Sequence, residues 1–154
     1  MKPILAIDPG PEKSGVVTWD GAKVHMAKVC PNDELLANLA VMAGMDERES
    51  VYCEWISSYG LRVGATVFDT CRWAGRFQQA SCGAGGSFHL VRRMDVKLWH
   101  TGRGSSKDAD VRGALIEKYG PPGTKANPGV TYGLTSHTWQ AFALATYVTE
   151  VWLK

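Results

Sequence analysis

No stretch of the 154 residues approaches the roughly 20 apolar positions needed to cross a membrane, and the N-terminus has no signal-like apolar block with a cleavage site. Cysteine is sparse and scattered. Cys30, Cys53, Cys71 and Cys82 include no Cys-x-x-Cys pair, so they read as reduced core thiols and not as zinc ligands or disulfides. No internal repeat or low-complexity tract is present. Neither sign of charge dominates: the formal net charge is +2, so any nucleic-acid affinity must come from where the cations cluster. With 45% hydrophobic residues, the length suits one well-buried core, and residues 1–154 are expected to form a single soluble, intracellular domain.

The most informative stretch is Ile4-Leu5-Ala6-Ile7-Asp8-Pro9-Gly10. Four consecutive apolar residues predict a strand covered on both faces, and Pro9 cannot donate the next ladder hydrogen bond. Asp8 is therefore expected at a strand end, where a carboxylate needs a polar network, a cation or a metal. An Asp-Pro-Gly turn with no further role is the alternative on this stretch alone.

Gly15 to Trp19 and Ala22 to Val29 flank Asp20-Gly21, predicting an antiparallel hairpin through a type I′ turn and a three-stranded meander. Pro31 to Glu34 supplies a helix start with Asn32 as cap, and Leu35, Leu36, Leu39, Met42 and Ala43 follow at helical spacing to an end near Gly44. A charged loop, Asp46 to Glu49, precedes a fourth strand, Val51 to Ile56, which carries a second acid, Glu54.

A long helix is predicted from Val63 to Ala80, with Asp69, Arg72, Arg76 and Gln79 on one face and with Gly64 and Gly75 suggesting close approach of another backbone. A Gly-rich connector, Ser81 to Ser87, leads to a short fifth strand, Phe88 to Val91. Arg92, Arg93, Lys97, Arg103 and Lys107 then form the densest basic patch. Ser105-x-x-Asp108 resembles a capping box for a helix to Tyr119, which puts Lys107 in the first turn. A cation there opposes the helix dipole unless an anion shares the site, and a phosphate would fit. After a Pro/Gly-rich loop from Gly120 to Gly133, an apolar helix from Ser136 to about Trp152 carries His137 and Gln140 on one face. The order indicates an α/β domain with a mixed five-stranded sheet flanked by helices.

Asp8, Glu54 and His137 are the residues able to do chemistry together. Two carboxylates and an imidazole can meet on Mg²⁺ or Mn²⁺, and His137 can also orient or deprotonate water; a hydrogen-bonded structural histidine is the plainer alternative.

In this light, Ile4 to Gly10 resembles the first motif of RuvC-type Holliday-junction resolvases of the ribonuclease H-like superfamily. The Glu54 strand resembles their second acidic motif, Val96-Lys97 with Thr101-Gly102-x-Gly104-x-x-Lys107 their basic segment, and Ser136-His137-x-x-Gln140-Ala141-x-Ala143 their C-terminal metal-binding helix. Ser58-Tyr59-Gly60, Val67 to Cys71 and Gly75-Arg76-Phe77 look closer to phage-encoded branches, so the resemblance implies the cytoplasm of a bacterial or phage-infected cell.

The resemblance implies a ribonuclease H-like fold and a crossover-junction endodeoxyribonuclease. Asp8, Glu54, His137 and Gln140 would bind two Mg²⁺ (or Mn²⁺) ions about 4 Å apart that activate water for in-line phosphodiester hydrolysis, and Lys107 would contact the backbone near the scissile phosphate. Family members often have Asp where Gln140 stands, so the second ion would be looser or rely on Asp108 or Asp110.

It further implies a homodimer through the long helices, with Gly64 and Gly75 near the interface, cutting four-way junctions or other branched DNA. Lys13, Arg62, Arg72, Arg76, Arg92, Arg93, Lys97, Arg103 and Lys107 would form its phosphate track. Tyr59 or Trp55 would be a candidate wedge, with core packing the stronger reading for Trp55. Competing readings are a nuclease acting on RNA–DNA hybrids or forks, a junction-binding protein with weak catalysis, and an actin-like or sugar-kinase-type nucleotide binder, for which 154 residues are too few.

Overall fold

The computed structural model describes residues 1–42, 50–58, 60–83 and 85–154. The predicted end of the first helix near Gly44, the charged loop from Asp46 to Glu49 and the Tyr59 wedge lie outside the described residues.

Five strands, β1 (Ile4–Asp8), β2 (Lys13–Trp19), β3 (Val24–Pro31), β4 (Ser50–Trp55) and β5 (Phe88–Arg92), form one mixed sheet in the order β3-β2-β1-β4-β5. The meander β1-β2-β3 is antiparallel, whereas β4 runs parallel to both β1 and β5. The helices are α1 (Asn32–Met42), α2 (Ala65–Gly83), α3 (Arg93–Thr101), α4 (Asp108–Tyr119) and α5 (Ser136–Val151).

The period-two alternation of β1 decides what lies on each face. Leu5 and Ile7 join Val51, Cys53, Leu35, Leu39 and Phe77 in a core beneath α1 and α2. Ile4 and Ala6 face the other way, with Tyr52, Trp139, Phe142 and Leu144 beneath α5. By the same parity Asp8 and Glu54 belong to the α5 face. The parallel register Ile7↔Cys53 makes them the next pair across β1 and β4. Pairing ends there, as Pro9 requires, so both acids stand at carboxyl ends of adjacent strands, where ligands of open α/β sheets bind.

Several local expectations are corrected. The β2-β3 connection is not a two-residue type I′ turn: only Gly21 takes a positive φ, of 95°, and the Asp20 carboxylate instead accepts the Ala22 and Lys23 amides at 2.8 Å. Asn32 does not act as a simple cap. Its side chain accepts from Ser14 Oγ at 2.6 Å and donates to the Gly10 carbonyl at 2.9 Å, tying the turn after Asp8 to α1. The long helix starts at Ala65, so Gly64 precedes it, and its continuation to Gly83 shortens the expected connector. Open space surrounds the Cβ positions of both Gly64 and Gly75, so among the described residues of this chain no backbone approaches either.

Helix α3 was not expected. Lys107 is the N-cap of α4 and lies just outside its first turn; its amide donates to Asp110 Oδ2 at 2.9 Å, replacing the proposed Ser105-Asp108 box. Of the cysteines only Cys30 and Cys53 are core thiols, since Cys71 is half-buried and Cys82 exposed. Trp55 is partly buried against the α1-α2 core, in keeping with packing. No helix among the described residues is long and apolar enough to cross a membrane.

Candidate active site

A cleft of about 580 Å³ opens at the carboxyl ends of β1 and β4, lined in part by Asp8, Arg93, Asp108, Arg112, His137 and Gln140. Four helices, α2, α3, α4 and α5, contribute residues of their first turns to its wall. The start of a helix carries partial positive charge that favours an anion such as a phosphate.

Asp8 is only 3% exposed and accepts from, or pairs with, His137 Nδ1 through Oδ2 at 2.9 Å. The hydrogen bond to Asp8 raises the His137 pKa above its ordinary value, outweighing partial burial. Helix α5 presents His137 because Thr135 and Thr138 exchange capping hydrogen bonds at the helix start, leaving Ser136 with a positive φ of 32°. A non-glycine residue in that region stores strain directly beside His137.

Glu54 is 2% exposed and does not line the cleft. Burial, then the neighbouring Asp8 charge, pushes its carboxyl up to about 8, against the downward pull of Arg93. Arg93 Nη1 donates to Glu54 Oε2 at 3.0 Å, and Nη2 donates to both oxygens of Asp108 at 2.8 and 2.9 Å. Burial alone would lower the Arg93 pKa, but Glu54 and Asp108 raise it further still, so the guanidinium stays charged. Lys97 completes the network, with its ammonium 3.0 Å from Asp108 and 2.8 Å from the Ser106 carbonyl. Burial works to raise the Asp108 pKa, yet these cations hold it below the ordinary carboxylate range.

Asp8, His137 and Gln140 thus meet in the cleft, with Glu54 behind Arg93. Among the described residues no three His, Cys, Asp or Glu side chains are gathered to hold a metal. The donor chemistry nevertheless suits one hard divalent ion, since Asp8 supplies a buried carboxylate, His137 an imidazole and Gln140 a neutral amide oxygen. Asp110, the other acid considered for a second ion, is engaged by the Lys107 amide.

Of the expected phosphate track, Lys13, Arg62, Arg72, Arg76, Arg92, Arg103 and Lys107 are exposed, whereas Arg93 and Lys97 turn inward onto carboxylates. Arg72 lies 3.5 Å from Asp69, Arg92 pairs with Asp95, and Arg76 stacks over Trp73. Lys107 does not line the cleft but precedes Asp108, which does.

Sequence reasoning missed Arg112, which lines the cleft and lies 4.8 Å from the centre of the Trp139 ring. It also missed Gly15, which pairs with Asp8 in the sheet and lies against the His137 backbone. Arg112 could have been found from its step of four beyond Asp108 on the helix. Gly15 carried the general signal of glycine inside a strand, close approach of another backbone.

This five-stranded mixed sheet with flanking helices is a ribonuclease H-like fold, of the kind seen in RuvC. The Thermus thermophilus RuvC structure superposes with a TM-score of 0.68 at 18% identity, over 96% of each chain. T. thermophilus RuvC in complex with Holliday junction substrate gives 0.67 at 19% identity, over 94% of this chain and 90% of that one. No family model and no curated protein matches the sequence.

Proposed function

We propose that this chain is a divalent-metal-dependent, structure-selective DNA endonuclease that resolves four-way junctions by phosphodiester hydrolysis. The observation that carries the reading is the convergence of Asp8, Glu54 and His137 at one sheet edge, on a fold shared with a protein solved on Holliday junction substrate.

Asp8 and His137 would hold the ion with help from Gln140, and Mg²⁺ or Mn²⁺ would polarise the phosphate and lower the pKa of a nucleophilic water. Glu54 stands behind Asp8 and anchors Arg93 at the back of the site. His137 would bind the ion through Nε2, the nitrogen left over from its Asp8 contact. Arg112 and the helix N-termini position the phosphate, and Lys107 reaches the strand beyond it. Exposed Lys13, Arg62, Arg72, Arg76, Arg92 and Arg103 extend the track for a branched duplex, setting affinity and orientation more than sequence preference.

Symmetrical cutting requires a second site, and the reading includes a homodimer across α2. Its outer face is exposed at Phe68, Arg72, Gly75, Gln79 and Cys82, spaced three and four residues apart as a helix-helix seam would be.

A second reading, a junction-binding protein with weak catalysis, is favoured by Gln140, whose amide adds no charge to the site. Labelled four-way junction, matched duplex, fork and RNA–DNA hybrid, incubated with Mg²⁺ or Mn²⁺, separate the readings. Paired symmetric nicks that need the ion and vanish in Asp8→Asn support resolution. Junction binding without cutting supports the second reading, and preferred cleavage of the hybrid overturns the junction assignment.

A further inference from the structure

The cleft contains a positive charge that the activity proposed above does not use. Arg93 is the first residue of α3, where a cation opposes the helix dipole, so its position is unfavourable unless acids compensate it. They do so on both sides. One guanidinium arm holds Glu54 Oε2 at 3.0 Å and the other holds Asp108 through both carboxylate oxygens. Its side chain is 26% exposed, while Glu54 behind it is 2% exposed.

We infer that Arg93 is a built-in cation of the acidic site, standing in place of the second of two metal ions, so that each site takes one divalent ion. This rests on the metal-dependent reading. A two-ion clamp needs acids to bridge or flank both positions. Here Glu54 has one oxygen committed to Arg93, Asp108 has both committed, and residue 140 is a neutral amide. The charge count agrees. Asp8, Glu54 and Asp108 supply at most three negative charges, against the positive charges of Arg93 and Lys97 in the same network and of Arg112 on the cleft wall. One divalent ion leaves the site net positive, so a second would be repelled. The open part of the site, between Asp8, His137 and Gln140, accommodates the one ion that the count permits.

The test counts ions and needs no turnover. Metal-free full-length protein is titrated with Mn²⁺ by calorimetry, with bound Mn²⁺ counted independently by electron paramagnetic resonance. Wild type is expected to bind one Mn²⁺ per chain. Arg93→Gln, which releases Glu54 and Asp108, is expected to bind two, and Arg93→Lys, which keeps the charge, one. Two ions in the wild type overturn the inference while leaving a metal-dependent nuclease intact, as does a count of one in a folded Arg93→Gln. No ion in the wild type overturns the metal-dependent reading itself. Should Arg93→Gln fail to fold, the wild-type count alone decides.

Discussion

Gly15 lies directly against the backbone of His137: a Cβ built on Gly15 would stand 2.5 Å from the His137 carbonyl carbon and 2.7 Å from its Cβ. Because Gly15 is also the sheet partner of Asp8, this one absent side chain sets how closely the imidazole approaches the carboxylate. Gly15→Ala is expected to push α5 away from the sheet and lower junction cleavage at least tenfold. Overpacking of this kind costs about 1–3 kcal/mol, measurable by urea denaturation. Unchanged cleavage by a folded variant would rule out the spacing role.

Asp8 raises the His137 pKa mainly through its hydrogen bond. In metal-free protein, Asp8→Asn is expected to move the imidazole titration to lower pH, followed by NMR of the ring protons. The sign for stability follows from the same shift. The protonated pair contributes fully below the unfolded-state value and is lost as pH rises through the folded one. An identical titration in wild type and variant would mean that the 2.9 Å contact is not formed in solution.

Asn32 is 1% exposed and holds both Ser14 Oγ and the Gly10 carbonyl. Asn32→Ala leaves these buried partners short of hydrogen bonds, at a cost of about 1–3 kcal/mol. Thermal unfolding should register the loss, and hydrogen exchange at Gly10 should accelerate, since the turn after Asp8 loses its tether to α1.

Far from the cleft, Glu150 on α5 accepts from Lys118 Nζ at 2.6 and 2.7 Å and from the Tyr119 hydroxyl at 2.6 Å. Burial raises the carboxyl pKa, but these donors more than reverse it and leave it below the ordinary value. Its stabilising contribution is present above the unfolded-state pKa and disappears as pH falls through the folded one. Wild type should therefore exceed Glu150→Gln in stability at pH 7, and the two should converge on acidification. A pH-independent gap in unfolding midpoints would contradict the assignment.

The sheet and the acid pair were legible because period two and Pro9 leave little choice: alternate residues of β1 must face opposite layers, and pairing must stop after Asp8. Helix α3 was not legible. Arg92 offers no capping side chain, a second arginine opens the helix, and Val96 is its one fully buried residue, so neither a start signal nor a full apolar stripe marks it. In the sequence Arg93 reads as a phosphate contact for a related reason. Its partners Glu54 and Asp108 are 39 and 15 residues away, and nothing in local spacing announces a long-range ion pair. The role of Asn32 was hidden because a residue competent to cap a helix is equally competent to bridge two backbone turns.

Helix α5 is buried along nearly its whole length, from Thr138 to Thr149, between the sheet and the helices α3 and α4. His137 and Gln140 are therefore fixed to the least separable element of the molecule, while Thr66 and Val67 across the cleft sit on the lightly covered start of α2. The two walls should breathe on different schedules. Backbone amides in the buried part of α5 are expected to exchange with solvent only when the whole protein unfolds, and those opening α2 through cheaper local excursions. Substrate would then be admitted by the yielding wall and held against a jaw that does not move.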